Sequence, residues 1–146
     1  MDLQEISDRL EIQDLIAQYC HAIDRQRLDE LDSIFTEDAV IDYTAFGAPR
    51  GGLTEMKAYL AEVLPAHVAY YHLAATSRIT ITGDRAECHT ICHNPMVFGR
   101  DGRPDVLYFC GLWYHDQLVR TERGWRIAAR VEEKCYLATL PEARLG

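Results

Sequence analysis

The chain has 146 residues, of which 48% are hydrophobic and 26% are charged, a balance typical of one globular domain over residues 1–146. Its formal net charge of -8 disfavours a nucleic-acid partner, because a field of that sign repels phosphate backbones. No window approaches the roughly 18 apolar residues of a membrane span, and the N-terminus "MDLQEISDRL" lacks the features of a signal peptide. We therefore expect a cytoplasmic protein with no membrane partner.

The N-terminal half predicts three helices. Over residues 4–24, apolar residues recur at helical spacing, namely Ile6, Leu10, Ile12, Ile16, Tyr19 and Ile23. A second, shorter helix is predicted from Leu28 to Phe35, followed by a strand in "AVIDY". The third is predicted from a cap at Thr54 to Leu64, because Pro65 cannot continue it.

The C-terminal half predicts two hairpins of long strands. "AYYHLAATSRITIT" and "RAECHTICHNPMVFG" flank the turn "GD", and "DVLYFCGLWYHDQLVRT" and "WRIAARVEEKCYL" flank "ERG". Helices first and antiparallel strands afterwards favour an α+β domain with helices on one face of a curved sheet. A sheet closed over in this way encloses a pocket, which is a common ligand site.

Two long segments resemble a known family. "EIQDLIAQYCHAIDRQRLDELDSIFTEDAVIDY" and "GLWYHDQLVRTERGWRIAAR" look like the SnoaL-like branch of the NTF2-like superfamily, and the similarity extends from Glu5 to Glu132. It implies an NTF2-like cone, in which three N-terminal helices pack on a curved, mostly antiparallel sheet that encloses a pocket. It is less specific for activity, because the superfamily includes dehydratases, isomerases, cyclases, epoxide hydrolases and non-catalytic binders.

The resemblance also implies a histidine–aspartate pair. Scytalone dehydratase and hexachlorocyclohexane dehydrochlorinase, two enzymes of this superfamily, perform eliminations with such a pair, and the similarity assigns Asp24 and His72 to it. A neutral imidazole accepts a proton near pH 7, and a carboxylate on its other nitrogen fixes the tautomer and stabilises the imidazolium. Helical spacing independently puts Asp24 at the border of the buried stripe of the first helix.

Strand alternation leaves the orientation of His72 open. It groups His72 with Ala74 and Thr76, opposite Leu73 and Ile79. That pattern suits a pocket wall or a solvent face, and a bulge would reset the parity. The assignment of His72 to the pocket therefore depends on the resemblance.

Further side chains are candidates for binding the substrate: Tyr19, Tyr43, His93, Asn94, Met96, Tyr108, Trp113 and Arg130. The resemblance suggests that tyrosines near positions 19 and 43 orient a substrate or a water molecule, with core packing as an equal alternative. Arg130 could bind an anionic leaving group, or form a salt bridge at the sheet edge.

The cysteines and histidines do not favour a metal site. "CHTICH" predicts Cys88 and Cys92 on one face of a strand and His89 and His93 on the other, whereas zinc needs three or four convergent ligands. Five cysteines without a CxxC motif predict reduced, mostly buried thiols. Because nucleotide-binding and serine-nucleophile motifs are also absent, we expect neither a metal nor a cofactor.

These features predict a cofactor-independent lyase of the dehydratase or dehydrohalogenase type, or an isomerase, acting on a small hydrophobic or aromatic molecule. His72 would be the general base and Asp24 its orienting partner. The alternative is a non-catalytic small-molecule-binding or accessory domain of the same fold. Since superfamily members commonly associate through this sheet, we also expect a homodimer or a larger homo-oligomer.

Overall fold

The structure is a computed structural model that describes residues 1–99 and 105–143. Within these residues lie two α-helices, α1 (Leu3–Asp24) and α2 (Leu53–Val63), and three short 3₁₀-helices, Leu28–Ser33, Thr44–Phe46 and Leu64–Ala66. The strands are β1 (Phe35–Asp42), β2 (Arg50–Gly52), β3 (His67–Tyr70), β4 (Leu73–Thr82), β5 (Arg85–Phe98), β6 (Asp105–Thr121) and β7 (Gly124–Ala143). No helix in the described ranges is both long and apolar enough to cross a membrane.

The strands form one sheet in the order β2-β1-β7-β6-β5-β3, and β4 also pairs with β5. Every pairing is antiparallel except the parallel pairing of β1 with β7. Register shifts in β6 between Gly111 and Leu112 and between Gln117 and Leu118 are irregularities of the kind that bend a strand. The prediction of a mixed α+β fold with a curved, mostly antiparallel sheet is confirmed.

The buried stripe of α1 differs from the predicted one near its start. Ile6 and Leu10 are exposed, and Asp8 is buried in their place. The Asp8 carboxylate accepts hydrogen bonds from the Arg120 guanidinium, both at 2.7 Å, and from the indole N–H of Trp125 at 3.2 Å. These donors lower the pKa of Asp8, with the Arg120 hydrogen bond as the largest cause, so a charged residue can occupy the inward face.

The second and third predicted helices need correction. The segment Leu28–Ser33 is a 3₁₀-helix, and Phe35, predicted as its end, already begins β1. Helix α2 starts one residue before the expected cap at Thr54, and the Glu55 carboxylate accepts a hydrogen bond from the Gly52 N–H at 2.9 Å. The side chain that caps this helix therefore comes from inside its first turn.

The strand predicted over residues 69–82 is two strands. β3 pairs with the C-terminal end of β5 and β4 with the rest of it, so Tyr71 and His72 lie between the two strands. Further on, Thr76 has a φ of 57° at a register shift in β4. This bulge resets the alternation, so that Ala74 before it and Ile79 after it both pack against the core.

Four of the five cysteines are buried between the helices and the sheet, namely Cys20, Cys88, Cys92 and Cys110, and all five are free thiols. Cys88 and Cys92 point to the inner face of the sheet, which we define as the face covered by α1 and α2. His89 and His93 point to the outer face, as their spacing predicted. The cysteines therefore behave as small core residues.

Candidate active site

A cavity of about 540 Å³ lies between the helices and the inner face of the sheet. Most of its wall is apolar and includes Phe46, Leu60, Leu64, Met96, Phe98 and Leu112. Ten polar side chains interrupt this wall: Tyr19, Tyr43, Tyr59, Glu62, His67, Tyr70, His72, Asn94, Tyr114 and Glu132. A cavity of this size and character suits a small, largely apolar molecule.

His72 and Asp24 are joined by two hydrogen bonds at the edge of this cavity. The His72 ring nitrogen Nδ1 lies 2.6 Å from Asp24 Oδ1, and the His72 backbone N–H donates to Asp24 Oδ2 at 2.9 Å. Their side chains are 9% and 17% exposed, respectively. One carboxylate thus holds both the ring and the backbone of residue 72.

This contact selects one tautomer of the imidazole. A carboxylate only accepts hydrogen bonds, so the proton of the neutral His72 ring is on Nδ1, where it is donated to Asp24. The other nitrogen, Nε2, then carries a free lone pair on a ring that lines the cavity. The arrangement is chemically that of a general base with its orienting carboxylate.

The strand break at Tyr71 and His72 is held by two neighbours. The Tyr70 hydroxyl donates to the carbonyl oxygen of Ile23 at 3.1 Å, one residue before Asp24. From β5, the Asn94 amide donates to the carbonyl oxygen of Tyr71 at 2.8 Å. Both ends of the His72–Asp24 pair are therefore fixed to regular elements, which limits the positions that the imidazole can take.

Two tyrosines form a hydroxyl pair beside His72. The Tyr19 and Tyr43 oxygens lie 2.6 Å apart in buried positions, and the Tyr19 ring meets the His72 ring edge-on at a centroid distance of 6.2 Å. Burial raises the pKa of both phenols, so both keep their protons near neutral pH. One hydroxyl of the pair donates its proton to the other oxygen. The hydroxyl that accepts this hydrogen bond can then donate its own proton to a molecule in the cavity.

Arg130 does not line the cavity, contrary to the prediction. It is fully buried and donates from Nε and Nη2 to the Asp116 carboxylate at 2.7 Å each. Its guanidinium lies over the rings of Tyr19 and Tyr114, with Cζ 4.0 Å and 4.1 Å from their centroids. Burial alone would lower the pKa of Arg130, but Asp116 more than offsets this, so the guanidinium stays charged behind the tyrosines.

Three other predicted pocket residues also lie elsewhere. His93 and Trp113 are on the outer face, because the alternation of β5 and β6 turns Asn94 and Leu112 inward instead. His93 accepts or donates a hydrogen bond with the Tyr136 hydroxyl at 2.9 Å and stacks on Phe109.

Tyr108 is paired in register with Met96 but is not part of the cavity wall. Its ring packs edge-on against Phe98, at a centroid distance of 6.4 Å. Of the predicted substrate-binding residues, the cavity wall contains Tyr19, Tyr43, Asn94 and Met96.

Glu132 is a cavity residue that the sequence did not single out. Burial is the largest cause that raises its pKa, to about 8, and the Asp42 charge adds to the rise while Arg130 opposes it. The only sequence signal was its place two residues after Arg130, on the same face of β7. Because the apolar Val131 between them is exposed, an ordinary hydrophobic-inside rule would have reversed the two faces.

The fold and this cavity define a mixed α+β protein of the NTF2-like type with a histidine–carboxylate pair at its pocket. The chain belongs to the SnoaL-like domain family, whose model matches residues 4–131. The resemblance inferred from the sequence is therefore confirmed.

Relatives and solved structures agree with this assignment. The uncharacterized protein Rv2910c of Mycobacterium tuberculosis is 49% identical over 136 residues, which are 93% of this chain and 91% of that protein. The Kfla4162 protein from Kribbella flavida superposes with a TM-score of 0.83 at 25% identity, covering 92% of this chain and 95% of the other. Hexachlorocyclohexane dehydrochlorinase LinA-type3 from Novosphingobium barchaimii gives 0.83 at 19% identity, covering 100% and 99%, and so shares the fold.

Proposed function

We propose that the protein is a cofactor-independent lyase of the dehydratase or dehydrohalogenase type, or an isomerase that uses the same proton abstraction. Its substrate would be a small hydrophobic or aromatic molecule with an acidic C–H bond. The observation that carries the proposal is the 2.6 Å contact between His72 and Asp24 at the wall of a largely apolar cavity. A dehydrochlorinase shares the fold, which supports an elimination.

In this proposal, His72 Nε2 removes a proton from a carbon atom of the substrate. Asp24 orients the ring and stabilises the imidazolium that forms, and its second oxygen keeps the backbone of residue 72 in place. The largely apolar wall around the pair lowers the local dielectric constant and so strengthens the charge interaction. A general base of this kind contributes about 10²–10⁴-fold in rate.

The Tyr19–Tyr43 pair supplies the electrophilic side of the reaction. A hydrogen bond from its free hydroxyl proton to a substrate carbonyl oxygen would stabilise the enolate that develops as the C–H bond breaks. This geometry favours substrates in which the acidic C–H bond is next to a carbonyl group.

Two matched probes test the proposal. One is the β-hydroxyketone formed by aldol addition of acetaldehyde to acetophenone, and the other is its β-chloro analogue. Both eliminate to phenyl propenyl ketone, whose formation is followed by ultraviolet absorbance and chromatography. We expect turnover of at least one probe, lost in His72→Ala and in Asp24→Asn while circular dichroism shows the fold retained.

Retained turnover in either variant would remove the pair from the mechanism. Binding of the unreactive parent ketone, phenyl propyl ketone, with no turnover of either probe would favour the non-catalytic, small-molecule-binding alternative. Calorimetric titration of that ketone into the wild-type protein and into Leu112→Trp, which fills the cavity, separates binding in the cavity from binding elsewhere.

We further propose that the protein is cytoplasmic and forms a homodimer or a larger homo-oligomer through the outer face. Exposed apolar residues on neighbouring strands of that face, Ile91, Trp113 and Val131, support the assembly. Analytical ultracentrifugation of the wild type and of Val131→Lys tests it. A monomeric wild type would contradict it.

A further inference from the structure

Glu132 is an ionisable group of the cavity wall, as are His72, Glu62 and His67. Glu132 lies on β7 directly opposite Tyr114 of β6, and both side chains line the cavity. His72 belongs to the far side of the same sheet, next to β4, with β6 and β5 in between. Glu132 and His72 therefore line the same cavity from separate parts of the sheet.

The Glu132 carboxyl group has no counter-charge of its own. Arg130, two residues earlier on the same face, already makes two hydrogen bonds to Asp116, so that pair is electrically neutral as a unit. Lys134, two residues later, has its Nζ over the Phe46 ring at 5.6 Å. Within residues 1–99 and 105–143, no group forms an ion pair or a hydrogen bond with the Glu132 carboxyl group.

A half-buried carboxyl group in the wall of a largely apolar cavity is more stable with its proton. Charging it would put a negative charge among tyrosine rings and aliphatic carbons, and the Asp42 carboxylate adds repulsion. Its pKa is raised to about 8, chiefly by burial, so near neutral pH it is mostly a carboxylic acid. Such a group can both donate a hydrogen bond and release a proton.

The nature of the leaving group decides whether an elimination needs this proton. Chloride leaves as a stable anion, whereas hydroxide is a poor leaving group and departs readily only when protonated to water. His72 is occupied with the C–H proton, and the buried phenols of Tyr19 and Tyr43 are weaker acids than usual. Glu62 and His67 also line the cavity, but Glu62 is exposed, and Glu132 is the carboxyl group whose raised pKa suits proton donation near neutral pH.

We propose that Glu132 is a catalytic general acid that protonates a hydroxyl leaving group, so that the reaction of this cavity is elimination of water. This inference rests on the proposed function of His72. His72 Nε2 takes the proton from the carbon next to the carbonyl, and the electrons of that C–H bond form the C=C bond. The C–O bond breaks with its electrons on oxygen, which takes the Glu132 proton and leaves as water.

The two groups return to their starting states when a water molecule carries a proton from the His72 imidazolium to the Glu132 carboxylate. The net reaction then converts a β-hydroxycarbonyl compound to an α,β-unsaturated carbonyl compound and water. The structure assigns the cavity to neutral substrates of this class, because a carboxylate substrate would add a negative charge to a largely apolar wall that already holds Glu132 near Asp42.

The protonation of Glu132 is tested without any substrate by infrared difference spectroscopy. Spectra are compared from about two units below to about two units above the expected pKa. The wild type should lose the C=O stretch of a protonated carboxyl group as the pH rises, and Glu132→Gln should lack this change. Glu133→Gln, which removes the neighbouring carboxylate on the outer face, should keep it. The same band in Glu132→Gln, or no band in the wild type, overturns the proposal.

The catalytic role is tested with the two probes described above. Glu132→Gln should lower kcat for the hydroxyketone by about 10²-fold or more, leave the chloroketone little changed, and Glu132→Asp should restore part of the lost rate. Equal loss for both probes, or a wild type that turns over only the chloroketone, overturns the assignment. Failure of His72→Ala to affect either probe would instead contradict the proposed function, whatever the infrared band shows.

Discussion

A histidine–carboxylate pair lies on each side of the sheet, and the nitrogen–oxygen distances of the two pairs are almost equal. On the inner face, His72 Nδ1 lies 2.6 Å from Asp24 Oδ1, with the side chains 9% and 17% exposed. On the outer face, His115 Nε2 lies 2.7 Å from Glu133 Oε2, with the side chains 32% and 65% exposed. The second pair also touches another imidazole, since His115 Nδ1 is in contact with His89 Nδ1.

The difference between the two pairs is in their surroundings. Asp24 also holds the backbone N–H of His72, and the second ring nitrogen of His72 belongs to a ring that lines a largely apolar cavity. In His115 both ring nitrogens are already engaged, so neither is free for a substrate. A short histidine–carboxylate distance therefore does not identify a site by itself, whereas backbone anchoring and a second ring nitrogen at the wall of a largely apolar cavity support one.

The largest expected effect contrasts the two pairs directly. His72→Ala and Asp24→Asn should each lower kcat/KM for the better of the two ketone probes by about 10²–10⁴-fold, because the base or its orientation is lost. His115→Ala and Glu133→Gln should stay near the wild-type value. Steady-state kinetics on all four variants measures this, and an equal loss in both pairs would break the comparison.

Breaking a buried ion pair should lower the free energy of unfolding more than breaking an exposed one. Asp116→Asn leaves Arg130 buried without its counter-charge and should lower the free energy of unfolding by about 3–5 kcal/mol. Asp84→Asn breaks the exposed pair with Arg120 and should cost about 0–1 kcal/mol. Urea unfolding followed by fluorescence measures both. Comparable losses would mean that burial does not separate the two environments.

Glu132 should make stability depend on pH, in a direction set by its raised pKa. The folded value of about 8 lies above the ordinary 4.5, so the folded state holds a proton that the unfolded chain has lost between these values. Its contribution to stability is thus complete below about pH 4.5 and is lost as the pH rises through about 8. The change in the free energy of unfolding across this pH range is on the order of a few kcal/mol.

Replacing Glu132 by Gln should remove this dependence. Urea midpoints of the wild type should fall relative to those of Glu132→Gln as the pH rises across that window, whereas Glu133→Gln should follow the wild type. Parallel curves for the wild type and Glu132→Gln would show that Glu132 is charged in the folded protein at neutral pH.

The smallest effect concerns the tyrosine pair. Tyr43→Phe removes one hydroxyl of a buried hydrogen bond, and we expect about 1 kcal/mol loss of unfolding free energy and about tenfold lower kcat. Tyr71→Phe is the matched control, because Tyr71 is exposed and lies outside the cavity wall. Thermal unfolding and kinetics on the same preparations measure the two effects. If kcat were unchanged in Tyr43→Phe, the hydroxyl pair would have a structural role and no part in catalysis.

The spacing of residues within single helices and strands was sufficient to predict the position of some site residues. The helical period of 3.6 residues brought Tyr19 to the buried side of α1 and Asp24 to its margin, and the strand period of two separated Cys88 and Cys92 from His89 and His93. Both periods follow from backbone geometry alone, so they are readable in one sequence. The family resemblance then supplied His72 as the partner of Asp24, which no spacing within one element could have done.

Spacing failed where the outcome depended on contacts between distant elements. The break between β3 and β4 and the bulge at Thr76 set the position of His72, and both exist because β5 pairs with two separate strands. On β7, burial under the helices turned Arg130 and Glu132 inward and left Val131 outside, against their polarity.

The sequence by itself thus determined the first and third helices, the two antiparallel hairpins and the place of Asp24, because these depend on residues close together in the chain. Only the tertiary structure decided that His72 reaches the cavity, that Arg130 is neutralised by Asp116 behind the tyrosines, and that burial raises the pKa of Glu132. Register and burial are properties of the assembled layers, and the electrostatic environment of a carboxyl group follows from them.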